Sequence, residues 1–355
     1  MEEVMSPTPP KRVLRGPNPF GVLGEYDLLH PVQHDVSDWS ETMYFHIWSP
    51  AEGVGLFVHI GRWPGDLDLW WGQVIAMLPN GELLADRSWG RAADGRGPAT
   101  GNVKVTCVEP LKKWKVTFDG AGEPTTRARM AVGPVGAGRA TAFRFDVELD
   151  AAAPVWDMHA ALGFENLSWA AFHHTQGFRC RGSLSVEGDR QWSLDGVAHR
   201  DHSSGPRHLA DFGGLNFFVA VFPDCGRVAN GLVNWRREGQ VDIRISTVQQ
   251  DEVCTIGTDL TITGLSDLAT HEPHHLTLTV GVDPPEVYTA EFLHGYTLTL
   301  LEPNVNVNGA AMEEEHDPLL VTQGAMKFTA PDGQVGWGVV ERDYRRSFLP
   351  SPEAR

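Results

Sequence analysis

The densest run of chemistry-bearing side chains is Asp195-Gly196-Val197-Ala198-His199-Arg200-Asp201-His202-Ser203-Ser204-Gly205-Pro206-Arg207-His208. Drawn out as a strand, its side chains alternate, so His199, Asp201 and Ser203 share one side while Arg200 and His202 share the other. One face can then carry acid–base chemistry. Gly205-Pro206 breaks the strand and turns the backbone, which lets Arg207 fold back as a fixed cation for a phosphate, carboxylate or enolate. The plainer reading is a polar loop with a structural Arg–Asp pair. No metal site is expected, because His199 and His202 point to opposite faces and no i,i+4 histidine pair on a helix is present.

A second polar group lies upstream. From Phe172 the alternation places His174 and Gln176 on one face with Phe172, Phe178, Cys180, Leu184 and Val186. Such a pair must be hydrogen-bonded or line a wet cavity, since an unsatisfied buried polar group costs about 1–3 kcal/mol. The short hairpin at Gly188 returns the chain beside this strand. His174, Gln176 and the stretch from His199 to Arg207 are therefore expected to converge on one cavity near a domain junction. Near the C terminus Val335, Trp337, Val339, Glu341 and Asp343 share one phase. Desolvation there would raise the pKa of Glu341 and suit it to general acid work, unless the strand end is exposed. Residues 313 to 316, Glu-Glu-Glu-His, read as a solvated acidic loop. Trp71, in the cluster Trp63, Trp70, Trp71 and Trp89, is either a packing residue or a wall for an apolar ligand.

Strands must position these groups. Thr42 to Trp48, Val54 to Trp63 and Leu69 to Leu78 alternate, and Asn80-Gly81 supplies a strong hairpin signal. Further strand-like runs continue to Val335–Tyr344, and the first 150 residues show no sustained helical period. The fold class is all-β, and a length of 355 residues suggests two domains. We expect a disordered leader over 1–20, a first β-domain over 21–190 and a second over 191–355.

Composition narrows the function. Basic residues number 29 against 46 acidic, a formal charge of -17, so nucleic acid is excluded as a partner by long-range repulsion. No apolar run is long enough for a membrane span, and no signal peptide is evident, which suggests a soluble, cytoplasmic protein. Cys107, Cys180, Cys225 and Cys254 are scattered, as reduced thiols are, and Cys180 falls on the apolar phase. Phosphate-binding glycine loops and the G-x-S-x-G elbow are both absent.

His173-His174-Thr175-Gln176, followed by a glycine-containing strand and Ala198-His199-Arg200-Asp201-His202-Ser203-Ser204-Gly205-Pro206-Arg207, resembles the AttH-like or carotenoid hydratase-like proteins. These carry a histidine-and-glutamine strand and a G-x-R-D-H-S-W-G-x-R stretch. Trp39-Ser40-Glu41 with Tyr44-Phe45, and Gly336-Trp337-Gly338 with Glu341, are similar too. His199 stands where the pattern has glycine or an aromatic, and Ser204 where it has tryptophan. The resemblance implies two lipocalin-like antiparallel β-barrel or sandwich domains packed side by side.

It further implies cofactor-free acid–base chemistry on a hydrophobic isoprenoid, steroid or polycyclic substrate in a β-barrel cavity, by a hydratase, isomerase or cyclase. Asp201, His202, His174 and Glu341 are the candidate catalytic residues. Gln176, His199, Arg200, Ser203, Arg207 and Trp71 are the candidate substrate-binding residues. Protonating an alkene needs a strong acid in a dry site, and a carboxylic acid or imidazolium among apolar walls supplies one. The alternatives are a carrier for an apolar metabolite and a scaffold whose barrels pack through Arg–Asp pairs.

Overall fold

The computed structural model describes residues 12–132, 139–163, 170–208, 210–267, 270–301, 305–308, 317, 319–345 and 347. Its strands are, in the first half, β1 (Arg12–Arg15), β2 (Trp39–Ser49), β3 (Val54–Trp63), β4 (Asp66–Met77), β5 (Glu82–Gly90), β6 (Val103–Glu109), β7 (Lys113–Thr126), β8 (Thr141–Ala151), β9 (Trp156–Asp157), β10 (Phe172–Val186) and β11 (Arg190–Pro206). In the second half they are β12 (Phe212–Phe222), β13 (Arg227–Arg236), β14 (Val241–Gln250), β15 (Val253–Gly257), β16 (Leu260–Ser266), β17 (Pro273–Val280), β18 (Glu286–Leu301), β19 (Val305–Asn308), β20 (Leu319–Thr329) and β21 (Val335–Arg345).

All the strand pairings are antiparallel, and they form two curled sheets of lipocalin-like, all-β architecture. The first runs β11-β2-β3-β4-β5-β7-β8-β10 and closes through β10 on β11, so it has no free edge along that circuit. The second runs β1-β15-β14-β13-β12-β21-β20-β18-β17-β16. Each sheet encloses its own apolar core: Phe45, Trp114, Phe145 and Phe178 fill the first, and Phe218, Tyr288, Phe328 and Val340 the second. Both interiors are packed with side chains, as small barrels are.

A third apolar cluster joins the outer faces of the two sheets. Tyr44, Trp48, Phe57 and Val197 meet Phe217, Val219, Leu232 and Val339 there. Strands at this junction are covered on both sides, and every residue of β2 and β12 is buried. The approach is close at Gly177, where an added Cβ would lie 2.9 Å from a Val221 methyl group across the junction.

Two expected boundaries differ. The division at 190/191 falls in the turn of the β10–β11 hairpin, whose strands pair from Phe172↔Ser204 to Val186↔Arg190. The first sheet therefore extends to Pro206, since β11 also pairs with β2 and is the strand that closes the barrel. Within the expected leader, Arg12 to Arg15 form β1, which pairs with Val253 to Ile256 and adds an edge to the second sheet. Residues 1–11 and the acidic run 313–316 lie outside the described residues. No helix among the described residues is long and apolar enough to cross a membrane.

Candidate active site between the barrels

Strand β11 divides its polar side chains between two environments. Arg200 and His202 point into the first barrel, on the same face as Ala198, whereas Asp201 and Ser203 point out toward the second barrel. The strand also runs through Gly205 and Pro206, where the sequence reading ended it, and Pro206 pairs with Trp39. Beyond that end Arg207 does fold back, its Nη2 donating to Ser203 Oγ at 3.0 Å.

The outward groups line a cavity of about 150 Å³ between the barrels. The first barrel contributes His173, Asp201, Ser203 and Arg207 with Thr42, Tyr44 and His59. Facing them are Gln323, Glu341 and Asp343 among Phe212, Leu215, Phe217 and Val321. The register explains the second group. Glu341 pairs across β21 and β20 with Gln323 and across to β12 with Phe217, so these three side chains share one face. Asp343 follows two residues later on that face.

The electrostatics pull the carboxyl groups apart. Burial raises the pKa of Asp201, but the hydrogen-bonded His173 ring and the nearby His199 and His202 together outweigh it and hold the carboxyl below its ordinary value. Burial drives Glu341 the other way, to about 7, with the negative charge of Asp201 adding to the rise and a hydrogen bond from Gln323 opposing it. Asp343 is raised by burial and by its neighbour Glu341, and its Oδ1 is buried without a hydrogen-bond partner among the described residues. One carboxyl is thus held below its ordinary pKa beside an imidazole while two others are pushed above theirs, which is how an acid and a base are separated in one site. Gln323 is itself oriented: its amide oxygen accepts from the buried Tyr296 hydroxyl and its amide nitrogen donates to Glu341 Oε2. Burial lowers the Arg207 pKa to about 10, still far enough above neutrality to keep the cation.

The inward groups form a different cluster at one end of the first barrel. Arg200 Nη1 lies 2.8 Å from Asp27 Oδ1, both fully buried, with the guanidinium 4.9 Å from the Trp114 ring. Glu41 accepts from the His30 backbone N–H at 2.8 Å, from His202 Nε2 at 3.0 Å and from Arg62 Nε at 2.9 Å. Gln176 Nε2 donates to the carbonyls of Leu111 and Ala153, both at 2.9 Å. His174 Nε2 lies 3.3 Å from Asp157 Oδ2, whose other oxygen caps the helix Met158–Leu162. These bonds tie the segment before β2 and the loops after β6 and β8 into the barrel end. His30, Glu41 and His202 also form a group of possible metal ligands, with one atom from each inside a 4.8 Å span. Glu41 is already engaged by Arg62 there, so the arrangement is that of a clasp.

The expected single cavity is therefore two sites on opposite sides of one sheet. His174, Gln176, Arg200 and His202 serve the interior clasp, while Asp201, Ser203, Arg207 and Glu341 meet in the inter-barrel cavity. His199 is buried in the junction with its ring 5.3 Å from Phe217, and burial lowers its pKa to about 3. Trp71 does not reach the cavity; it stands behind His59 at 4.9 Å between ring centroids. Sequence reasoning passed over His173, Gln323 and Asp343. Alternation did carry a signal for two of them, since His173 is offset by one from His174 and Asp343 shares the phase of Glu341.

A family model described as "Domain of unknown function (DUF7064)" matches residues 24–344, and the chain belongs to that family. No curated protein matches. Among solved structures, an AttH assigned in Nitrosomonas europaea is 15% identical with a TM-score of 0.58, covering 95% of this chain and 99% of its own. Kievitone hydratase from Nectria haematococca is 12% identical with a TM-score of 0.52, covering 93% and 97%. CghA, solved with Sch210972, is 10% identical with a TM-score of 0.51, covering 95% and 99%. At these identities the likeness is one of fold.

Proposed function

We propose that this chain is an acid–base enzyme of the hydratase, isomerase or cyclase type, acting without a cofactor on an apolar unsaturated small molecule held between the two barrels. The observation that carries the reading is the pairing of an ionised Asp201–His173 dyad with a proton-bearing Glu341 across one apolar-walled cavity. Glu341 donates a proton to one carbon of a double bond. The Asp201–His173 dyad then removes a proton from an adjacent carbon, which gives an isomer, or from an attacking water, which gives a hydrated product. Phe212, Leu215 and Phe217 keep bulk water from the cationic stage, and Arg207 orients a substrate oxygen. That a neighbour in fold is named kievitone hydratase is consistent with this class. The scattered free thiols favour a reducing, cytoplasmic setting.

The test is a screen of isoprenoids, steroids and polyketides against the purified protein in D2O and in H2(18)O, read by mass spectrometry. Deuterium or oxygen-18 incorporation that disappears in Asp201→Asn and Glu341→Gln is the expected result. Tight binding of a screened compound with no incorporation in any case would make the protein a carrier.

A further inference from the structure

The polar side of the cavity is uneven. At one corner Arg207 Nη2 donates to Ser203 Oγ at 3.0 Å and reaches Thr42 Oγ1 at 3.5 Å, while the two hydroxyl oxygens stand 3.1 Å apart. All three residues are at least nine-tenths buried and all three line the cavity. Two hydroxyls carry two protons, and only one can lie between them. The other is left to point at an acceptor, with a cation directly behind it. The corner thus offers a hydroxyl donor backed by a guanidinium, the combination that receives a negatively charged or strongly polarised oxygen.

The rest of the lining fixes what that oxygen is attached to. Asp201 is hydrogen-bonded to His173, and its charge also acts on Arg207. Phe212, Leu215 and Leu232 give the cavity an apolar wall. A volume of about 150 Å³ accepts one six-membered ring, or a chain of similar bulk. We propose that Arg207, Ser203 and Thr42 form an oxyanion subsite, and that the reacting portion of the substrate is a single ring or short chain bearing an acidic oxygen: a carboxylate, phenol or enol. This deepens the acid–base reading, on which the word substrate rests, but the subsite itself is a claim about binding. With the oxygen held at this corner, the attached carbon skeleton lies along the apolar wall toward Glu341.

Calorimetric titration with benzoate, benzyl alcohol and toluene tests it, since the three share one ring and differ in the oxygen. Benzoate should bind at least about tenfold more tightly than either neutral probe, the size expected for a charge-assisted hydrogen bond. Arg207→Met should remove that preference and leave toluene within about twofold of its wild-type affinity. Should Arg207→Met not fold, the double variant Thr42→Val with Ser203→Ala carries the test, and about a fivefold or greater loss for benzoate alone is expected. Equal binding of benzoate and toluene, or an Arg207→Met protein that retains the preference, overturns the subsite. Glu341→Gln should keep benzoate binding. An Arg207-dependent preference in a protein with no turnover would leave the subsite standing and sink the acid–base reading; turnover of a neutral hydrocarbon without any preference for benzoate would do the reverse.

Discussion

The two faces of β11 place similar residue types in opposite electrostatic states. Inside the first barrel the carboxylates are paired with bases: Asp27 has Arg200, Glu41 has Arg62 together with two N–H donors, and Asp157 has His174. Outside, Asp201, Glu341 and Asp343 share a cavity with His173 and Arg207, and burial pushes the pKa of two of the three carboxyls upward. A network of paired charges specifies a packing; crowded carboxyls without matching cations have their pKa values pushed upward. The difference arises because the interior is built by one chain segment closing over another, whereas the cavity is formed by two outer faces that do not meet fully.

The largest expected break in this contrast is at Arg200. Replacing it with Met leaves Asp27 buried and unpaired, which should cost about 3–5 kcal/mol and be read as a fall in unfolding free energy. Any residual activity of the folded fraction should be near normal. An Arg200→Met protein that melts like the wild type but loses turnover would place Arg200 in the chemistry.

Asp201→Asn should show the converse. Turnover is expected to fall about 10²-fold or more, with little change in Tm, because the amide keeps size and most hydrogen bonding but loses the charge. If that variant melts several degrees lower, Asp201 is mainly structural and the base becomes His173.

The two regions should also titrate with opposite sign. Burial lowers the pKa of His30, His174 and His202, so these rings are neutral in the fold and the stability they allow is present above the unfolded value near 6.5 and lost as pH falls below it. Glu341 is raised to about 7, so its contribution is full below the unfolded value near 4.5 and lost as pH rises through 7. The histidines should make stability rise with pH up to about 6.5, while Glu341 makes it fall between about 4.5 and 7 and level off above. Glu341→Gln should remove the second component and raise Tm at pH 8 relative to pH 5 by comparison with the wild type; an unchanged pH profile in that variant would contradict the assignment.

The smallest effect is expected at Gln323. Its hydrogen bond lowers the Glu341 pKa, so Gln323→Leu should move it upward. Infrared detection of the protonated carboxyl, with Glu341→Gln as the blank, would follow it. Tyr296→Phe should act more weakly in the same direction, by freeing the Gln323 amide to rotate. A downward shift in either variant would contradict the assigned orientation of that amide.

Much of this was legible before folding. Strand periodicity separated Asp201 and Ser203 from Arg200 and His202, put His174 and Gln176 on an apolar face, and set Glu341 in phase with Val339. Local chemistry is enough for that, because alternation along one strand needs no knowledge of its neighbours. The hairpin at Gly188 also brought β10 beside β11, with His174 opposite His202.

What the sequence determined by itself was therefore which side chains share a face, together with the all-β character of the chain. Which face meets the other barrel was decided only by tertiary structure. From Val197 onward both faces of β11 are covered, so hydrophobicity does not mark one as core and the other as surface there. Barrel closure sent His174 and Gln176 inward to the clasp, and docking of the second sheet set Glu341, Asp343 and Gln323 opposite Asp201 and His173. Those residues are separated by more than a hundred positions in the chain, and a carboxyl pKa depends on charges and solvent within a few ångströms in space. No pattern along the chain encodes that distance.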